Sequence, residues 1–217
     1  MKIIDISLPL NNHTPIYPGN VPLRVSIHHA MPEYATQLSS ITFGSHTGTH
    51  IDAPAHAVAG APSLDKIPLM NFVGLCRVLD FSLGHSPSGE AKEKSEAVTK
   101  KMLEDKNIKE GERILLKTRN SLRGFKEFYD DYVYLDGEAA DYLAGLHVLL
   151  VGIDALSIKK KGGTDQRPHT SLLSKNIPIV EGLNLASVSE GKYELVCLPL
   201  NFTGIDGAPA RAVLIVS

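Results

Sequence analysis

The chain has 217 residues, 43% of them hydrophobic and 21% charged, enough for one sizeable core and a single domain over 1–217. Its formal net charge of −2 gives no electrostatic case for nucleic acid or an anionic membrane as partner, and no apolar run approaches the ~20 residues of a membrane span. Cys76 and Cys197 each sit in an apolar run without metal-type spacing, and the N-terminus lacks a signal-peptide apolar region, so a cytoplasmic protein with core cysteines is expected.

Ile3, Ile4, Ile6 and Leu8 make a first short strand, ended by Pro9. Residues 11–22 carry Pro15, Pro18, Gly19 and Pro22 and form a loop. Residues 23–30 and 38–45 read as two strands, the second leading into the most informative stretch of the chain. His28 and His29 are adjacent, so on a strand they point to opposite faces and serve a structural role.

Three of the nine histidines lie in the twelve residues 45–56, at His46, His50 and His56, with Asp52 among them. Imidazole and carboxylate are the usual nitrogen and oxygen donors to a divalent metal. All four occupy even positions, so an extended chain points them to one face, while a helix would turn Asp52 away. Residues four apart on a straight strand lie about 13 Å from each other, at ~3.3 Å per residue. Two donors on one zinc lie within about 4 Å of each other. The backbone must therefore bend between His46 and His50, and Gly48 is the residue that tolerates a bend.

Residues 60–70 are turn-rich, 71–81 form a buried strand, and 84–95 are small, polar and loop-like. Thr99 caps a short helix over 99–107, with Met102 and Leu103 facing inward. Residues 112–118 are a strand, 119–131 a loop over the core, and 132–135 a strand. Asp136 caps a helix over 138–144, which Gly145 closes as the residue beyond its C-terminus. The continuous apolar run over 147–154 is a central strand buried on both faces. Lys159, Lys160, Lys161, Gly162 and Gly163 read as a solvated, mobile segment. Pro168 suits the first turn of a helix to about residue 174, placing His169 near its start, and the strand 177–181 ends in Glu181. The chain closes with strand 195–200, a tight Gly/Pro turn over 204–211 whose Arg211 pairs a carboxylate, and strand 212–216. Strands and short helices alternate without repeat or linker, which indicates an α/β domain with a single mixed sheet.

The run His-x-Gly-Thr-His-x-Asp-x-Pro-x-His over 46–56 resembles the signature of the cyclase family of metal-dependent hydrolases, which includes bacterial kynurenine formamidases and isatin hydrolases. Further likenesses are the Pro-x-aromatic-Pro-Gly segment at 15–19 and Gly-x-Asp-Gly-x-Pro-x-Arg at 204–211. The resemblance implies a swivelling β/β/α architecture. It also implies one or two divalent ions per chain, zinc first and manganese second. The first ion would take His46, His50 and Asp52, and the second Asp52, His169 and Glu181. His56 matches the family's general acid/base, with a further metal ligand as its other role. Tyr17 lines the substrate pocket by the same likeness, standing where formamidases tend to carry tryptophan, and Ala57 stands where they often carry phenylalanine.

The implied reaction is cleavage of the C–N amide bond of a small aryl formamide such as N-formylkynurenine. A cyclic amide or lactone of isatin type is the alternative substrate. A non-catalytic metal- or ligand-binding module on the same fold is the rival of another class, and a homo-oligomer, dimer or tetramer, is the expected assembly.

Overall fold

The computed structural model describes residues 1–82 and 96–216, so the loop expected over 84–95 lies outside the described residues. Its centre is a sheet that closes on itself. Eight strands run in the order β1 (Lys2–Asp5), β12 (Gly207–Val216), β11 (Gly191–Pro199), β5 (Val73–Asp80), β7 (Arg113–Lys117), β9 (Leu150–Ile153), β10 (Ile179–Glu181) and β4 (His50–Asp52). β4 also pairs with β12, so all of these but β1 form a barrel. The β5–β7, β7–β9 and β9–β10 pairs are parallel, and the pairs through β4, β12 and β11 are antiparallel. The mixed α/β class expected from the sequence is what forms, and closure spares the barrel strands an open edge.

Strand alternation divides the core in two. Leu115, Leu150 and Val180 point into the barrel, where they join Phe72, Cys76, Val78, Leu195, Cys197 and Leu214. Their sequence neighbours Ile114, Leu116, Val151, Ile153 and Ile179 point outward, into a second core covered by helices. The helices are α1 (Lys100–Glu104), α2 (Arg119–Arg123), α3 (Gly137–Gly145) and α4 (Arg167–Leu173). α3 and α4 lie on the crossovers β7-to-β9 and β9-to-β10, as parallel neighbours require. β6 (Ala97–Val98) and β8 (Tyr134–Leu135) form a small parallel pair, and β2 (Arg24–His29) with β3 (Leu38–Thr42) forms a separate two-stranded arm.

Several expectations are corrected. Part of the loop expected over 119–131 is α2, because the Thr118 hydroxyl accepts from Asn120 N (3.1 Å) and Asp154 accepts from the amides of Thr118 (2.8 Å) and Ser121 (3.1 Å). That partner comes from the end of β9 and is not visible locally. Gly145 is the last residue of α3, and the left-handed position falls at His147 (φ 52°). β5 is only half buried, with Leu75 74% exposed. A register shift between Ile27 and His29 brings the His28 and His29 rings into a stack at 4.5 Å, where a regular strand would part them. The turn expected over 204–211 is shorter, since β12 starts at Gly207. Arg211 does pair a carboxylate, with Nε 3.0 Å from Asp5 Oδ1.

Candidate active site

The chain enters the site through a sharp bend. Gly48 has φ +62°, and a Cβ there would collide with Leu10, so the position requires glycine. After the bend the three residues of β4 run buried between β10 and β12. Register places Glu181 opposite His50, so the two side chains share a face with Asp52, two residues on. Gly182 (φ +69°) lies so close to Gly48 that a Cβ would strike the Gly48 carbonyl, which lets the two turns lie back to back. The Thr49 hydroxyl ties them by donating to Gly182 O at 2.6 Å.

The side chains converge as the bend requires. The His46 and His50 rings lie 5.0 Å apart and nearly perpendicular. His46 Nδ1 is 2.7 Å from Asp52 Oδ1. His50 Nε2 lies 3.3 Å from Asp52 Oδ1 and 3.3 Å from Glu181 Oε2. From α4, His169 Nε2 is 3.3 Å from Glu181 Oε1 and 3.7 Å from Asp52 Oδ2. The Ile158 amide donates to Glu181 Oε1 at 2.6 Å and fixes that carboxylate. His56 ends a 3-10 turn (Pro54–His56), its ring 4.1 Å from that of His46 and 5.3 Å from that of His169. Its side chain is 32% exposed, so it stands at the rim.

The electrostatics favour a cation. Burial raises the pKa of Asp52, but the His46 and His50 imidazoles beside it outweigh that and hold the carboxyl well below its usual range. Burial and the Asp52 charge raise that of Glu181, and His169 and His50 reverse the balance, so it too is held low. Burial disfavours charge on His50, yet Asp52 and Glu181 push its pKa up to about 10. His56 moves the other way. Burial lowers its pKa, and His46 and His169 add to that against Asp52, so it stays neutral at pH 7.

Hydrogen bonding shows what would fit. His50 Nδ1 lies 3.0 Å from Gly48 O and donates to it, which turns Nε2 between two carboxylates, where a cation could take the place of its proton. Buried His50 Nε2, Asp52 Oδ2 and Thr47 Oγ1 have no hydrogen-bond partner among the described residues. Among the described residues, two groups of donor atoms each lie within 4.8 Å, His46/Asp52/His56 and His50/Asp52/Glu181. A divalent ion matches this donor chemistry. Asp52 is common to both sets. His56 replaces His50 in the first set, and His50 replaces His169 in the second.

Tyr17 is half-buried and meets Phe128 edge-on at 5.1 Å, and both pack against the outer core together with Ala57 and Val58. Sequence reading missed Asp206. Its Oδ2 lies 2.7 Å from His46 Nε2 and 3.7 Å from His56 Nδ1, joining the two histidines at the rim. The signal is the carboxylate of the family-like Gly-x-Asp-Gly-x-Pro-x-Arg segment, to which the sequence assigns only a turn and the pairing of Arg211.

Residues 4–160 match the family described as "Putative cyclase". The chain is 35% identical over 216 residues to a kynurenine formamidase of Salinibacter ruber, covering 99% of this chain and 97% of that protein. A solved structure described as a potential metal-dependent hydrolase with cyclase activity superposes with a TM-score of 0.82 at 34% identity, covering 98% of this chain and 96% of that one. Isatin hydrolase A from Labrenzia aggregata shares the fold, with a TM-score of 0.82 at 24% identity over 99% of this chain and 93% of its own.

Proposed function

The chain belongs to this cyclase family, and from that premise we propose that it is a metal-dependent hydrolase cleaving the C–N bond of a small aryl formamide such as N-formylkynurenine. The observation that carries the reading is the meeting of His46, His50, Asp52, His169 and Glu181 around buried donor atoms without partners, with neutral His56 at the open side. His50, Asp52 and Glu181 would hold one ion, zinc or manganese, and His46 with Asp52 face a second position, beside which His56 stands. A divalent ion bound there supplies charge to polarise the amide carbonyl and to lower the pKa of water.

The protein's own groups do the rest. Asp52 and Glu181 are held ionised and fixed by their hydrogen bonds, so they need no reorganisation during reaction. His56, neutral at pH 7, accepts the proton of the attacking water as the C–O bond forms at the formyl carbon. It then passes that proton to the amide nitrogen as the C–N bond breaks, releasing formate and the aryl amine. Asp206 stands 3.7 Å from His56 Nδ1 and steadies the ring while it carries charge.

A cyclic amide or lactone is the second reading, favoured by Ala57 directly after His56, a smaller side chain than the phenylalanine formamidases often carry there. We also propose a homo-oligomer. Two-stranded sheets are marginal alone, and the β2–β3 arm exposes Ile27, Leu38 and Ile41 for a second copy to cover.

The test is hydrolysis by chelated protein reloaded with zinc or manganese. N-formylkynurenine, formanilide and isatin are the substrates. Turnover of the formamides that returns with metal supports the reading, turnover of isatin alone selects the second, and metal binding without any turnover would leave the binding module.

A further inference from the structure

The three consecutive lysines, read from sequence as a solvated segment, lie along the edge of the site. Ile158 donates its amide to Glu181, so Lys159 follows directly on a residue that touches the donor cluster. The Lys159 carbonyl accepts a hydrogen bond from the Tyr132 hydroxyl. Tyr132 meets Phe128 edge-on at 5.9 Å, and Phe128 meets Tyr17 at 5.1 Å. One wall beside Glu181 therefore carries three aromatic rings and the Lys159 backbone.

The three ammonium groups differ in their partners. Lys160 pairs with Glu96 at 3.4 Å, and Lys161 pairs with Asp130 and lies over the Phe128 ring at 5.1 Å. Half-buried Lys159 donates to Gly163 O at 3.1 Å and has no carboxylate within 4.0 Å among the described residues. An ammonium has three N–H donors, so two of its donors remain for a ligand. Its charge reaches α4, where it opposes protonation of His169, as burial does, against Glu181 and Asp52. Its charge also helps Arg167 to lower the pKa of exposed Asp165, which makes no ion pair with Lys159 within 4.0 Å. A half-buried ammonium with no paired carboxylate, on a residue whose carbonyl is bonded to Tyr132, is the chemistry that receives an arene carrying an anionic tail.

We propose that Lys159 is a specificity-determining residue that receives the carboxylate of an aryl-formamide substrate, whose ring lies against Tyr17, Phe128 and Tyr132 while its amide reaches the histidine cluster. The proposal rests on the hydrolase reading and narrows it to substrates with an acidic side arm. Lysine acts on a carboxylate as a point charge, so arginine should substitute in part.

The test compares N-formylkynurenine with its methyl ester, which has the same ring and amide but no carboxylate, using the zinc-loaded enzyme and its Lys159→Met and Lys159→Arg variants. For the acid, Lys159→Met should lower kcat/KM roughly 10- to 100-fold, mainly through KM, as expected for a lost hydrogen bond to a charged group. The ester should be unaffected, and Lys159→Arg should recover much of the loss. Equal losses for acid and ester, or no loss for either, would overturn the proposal. If the wild type hydrolyses neither compound, the hydrolase reading fails instead. Calorimetric binding of kynurenine and its methyl ester then decides the Lys159 assignment: preference for the acid that vanishes in Lys159→Met supports it, and indifference to the carboxylate overturns it.

Discussion

The duties proposed for single side chains in the cluster are separable. His56 is the partly exposed histidine of the group, and its burial-depressed pKa keeps it neutral and ready to accept a proton. His56→Ala should lower kcat by about 10²–10⁴-fold, the usual contribution of a general acid–base group. Metal content should stay full, and the loss should shrink for formamides of weakly basic amines, which need little protonation to leave. Metal lost in parallel with activity would make His56 a ligand, a role its place in the His46/Asp52/His56 set allows. Glu181 lies opposite His50 and within reach of His169, so Glu181→Ala removes a donor shared by two histidines. Bound zinc should fall from two equivalents towards one by elemental analysis, and an unchanged count would take Glu181 out of the metal site.

The element that assembles these residues is the bend before β4. An alanine at position 48 must hold a left-handed backbone, at about 1–2 kcal/mol, and displace Leu10 as well. Gly48→Ala should therefore weaken zinc binding and lower the melting temperature together. A variant that melts lower but binds zinc normally would show that the bend serves folding alone. The need for this bend was legible in the spacing of His46 and His50, because donor distances cannot be met on a straight strand. β9 was equally legible as a continuous apolar run, β7 as a strand, and Thr99 and Asp136 as helix caps. α2 was not, because Asp154, which holds its first turn, lies more than thirty residues away. Asp206 was hidden for the same reason: its partners His46 and His56 are reached only when β12 pairs with β4. Local pattern shows what a segment can form, and long-range pairing decides what it touches.

Closure of the barrel is a property of the whole chain and buries ionised groups that tie stability to pH. Asp52 and Glu181 have folded pKa values below the ~4 of an unfolded carboxylate. Their contribution is present above about pH 4 and is lost as pH falls towards the folded values. His50 is the reverse case, with a folded value of about 10 against 6.5. Its contribution is full below about pH 6.5 and is lost as pH rises towards 10. Metal-free protein should therefore melt highest near pH 5–6 and lose stability on either side. Zinc held by His50 would take the place of its proton, so the rise in melting temperature on adding zinc should grow between about pH 6.5 and 9. Melting curves with chelator and with zinc across that range check this, and a zinc effect independent of pH would mean that binding displaces no proton here.

The account turns on one physical claim, that the buried atoms His50 Nε2, Asp52 Oδ2 and the Glu181 carboxylate face a divalent ion. Anomalous diffraction at the zinc edge from crystals grown with zinc tests it most directly. The account predicts a peak bound by His50, Asp52 and Glu181 at about 2.0–2.2 Å, with a second, if present, roughly 3.5–4 Å away and sharing Asp52. Zinc absent from this cluster in crystals of enzyme that hydrolyses formamides, or zinc bound only elsewhere on the surface, would contradict it.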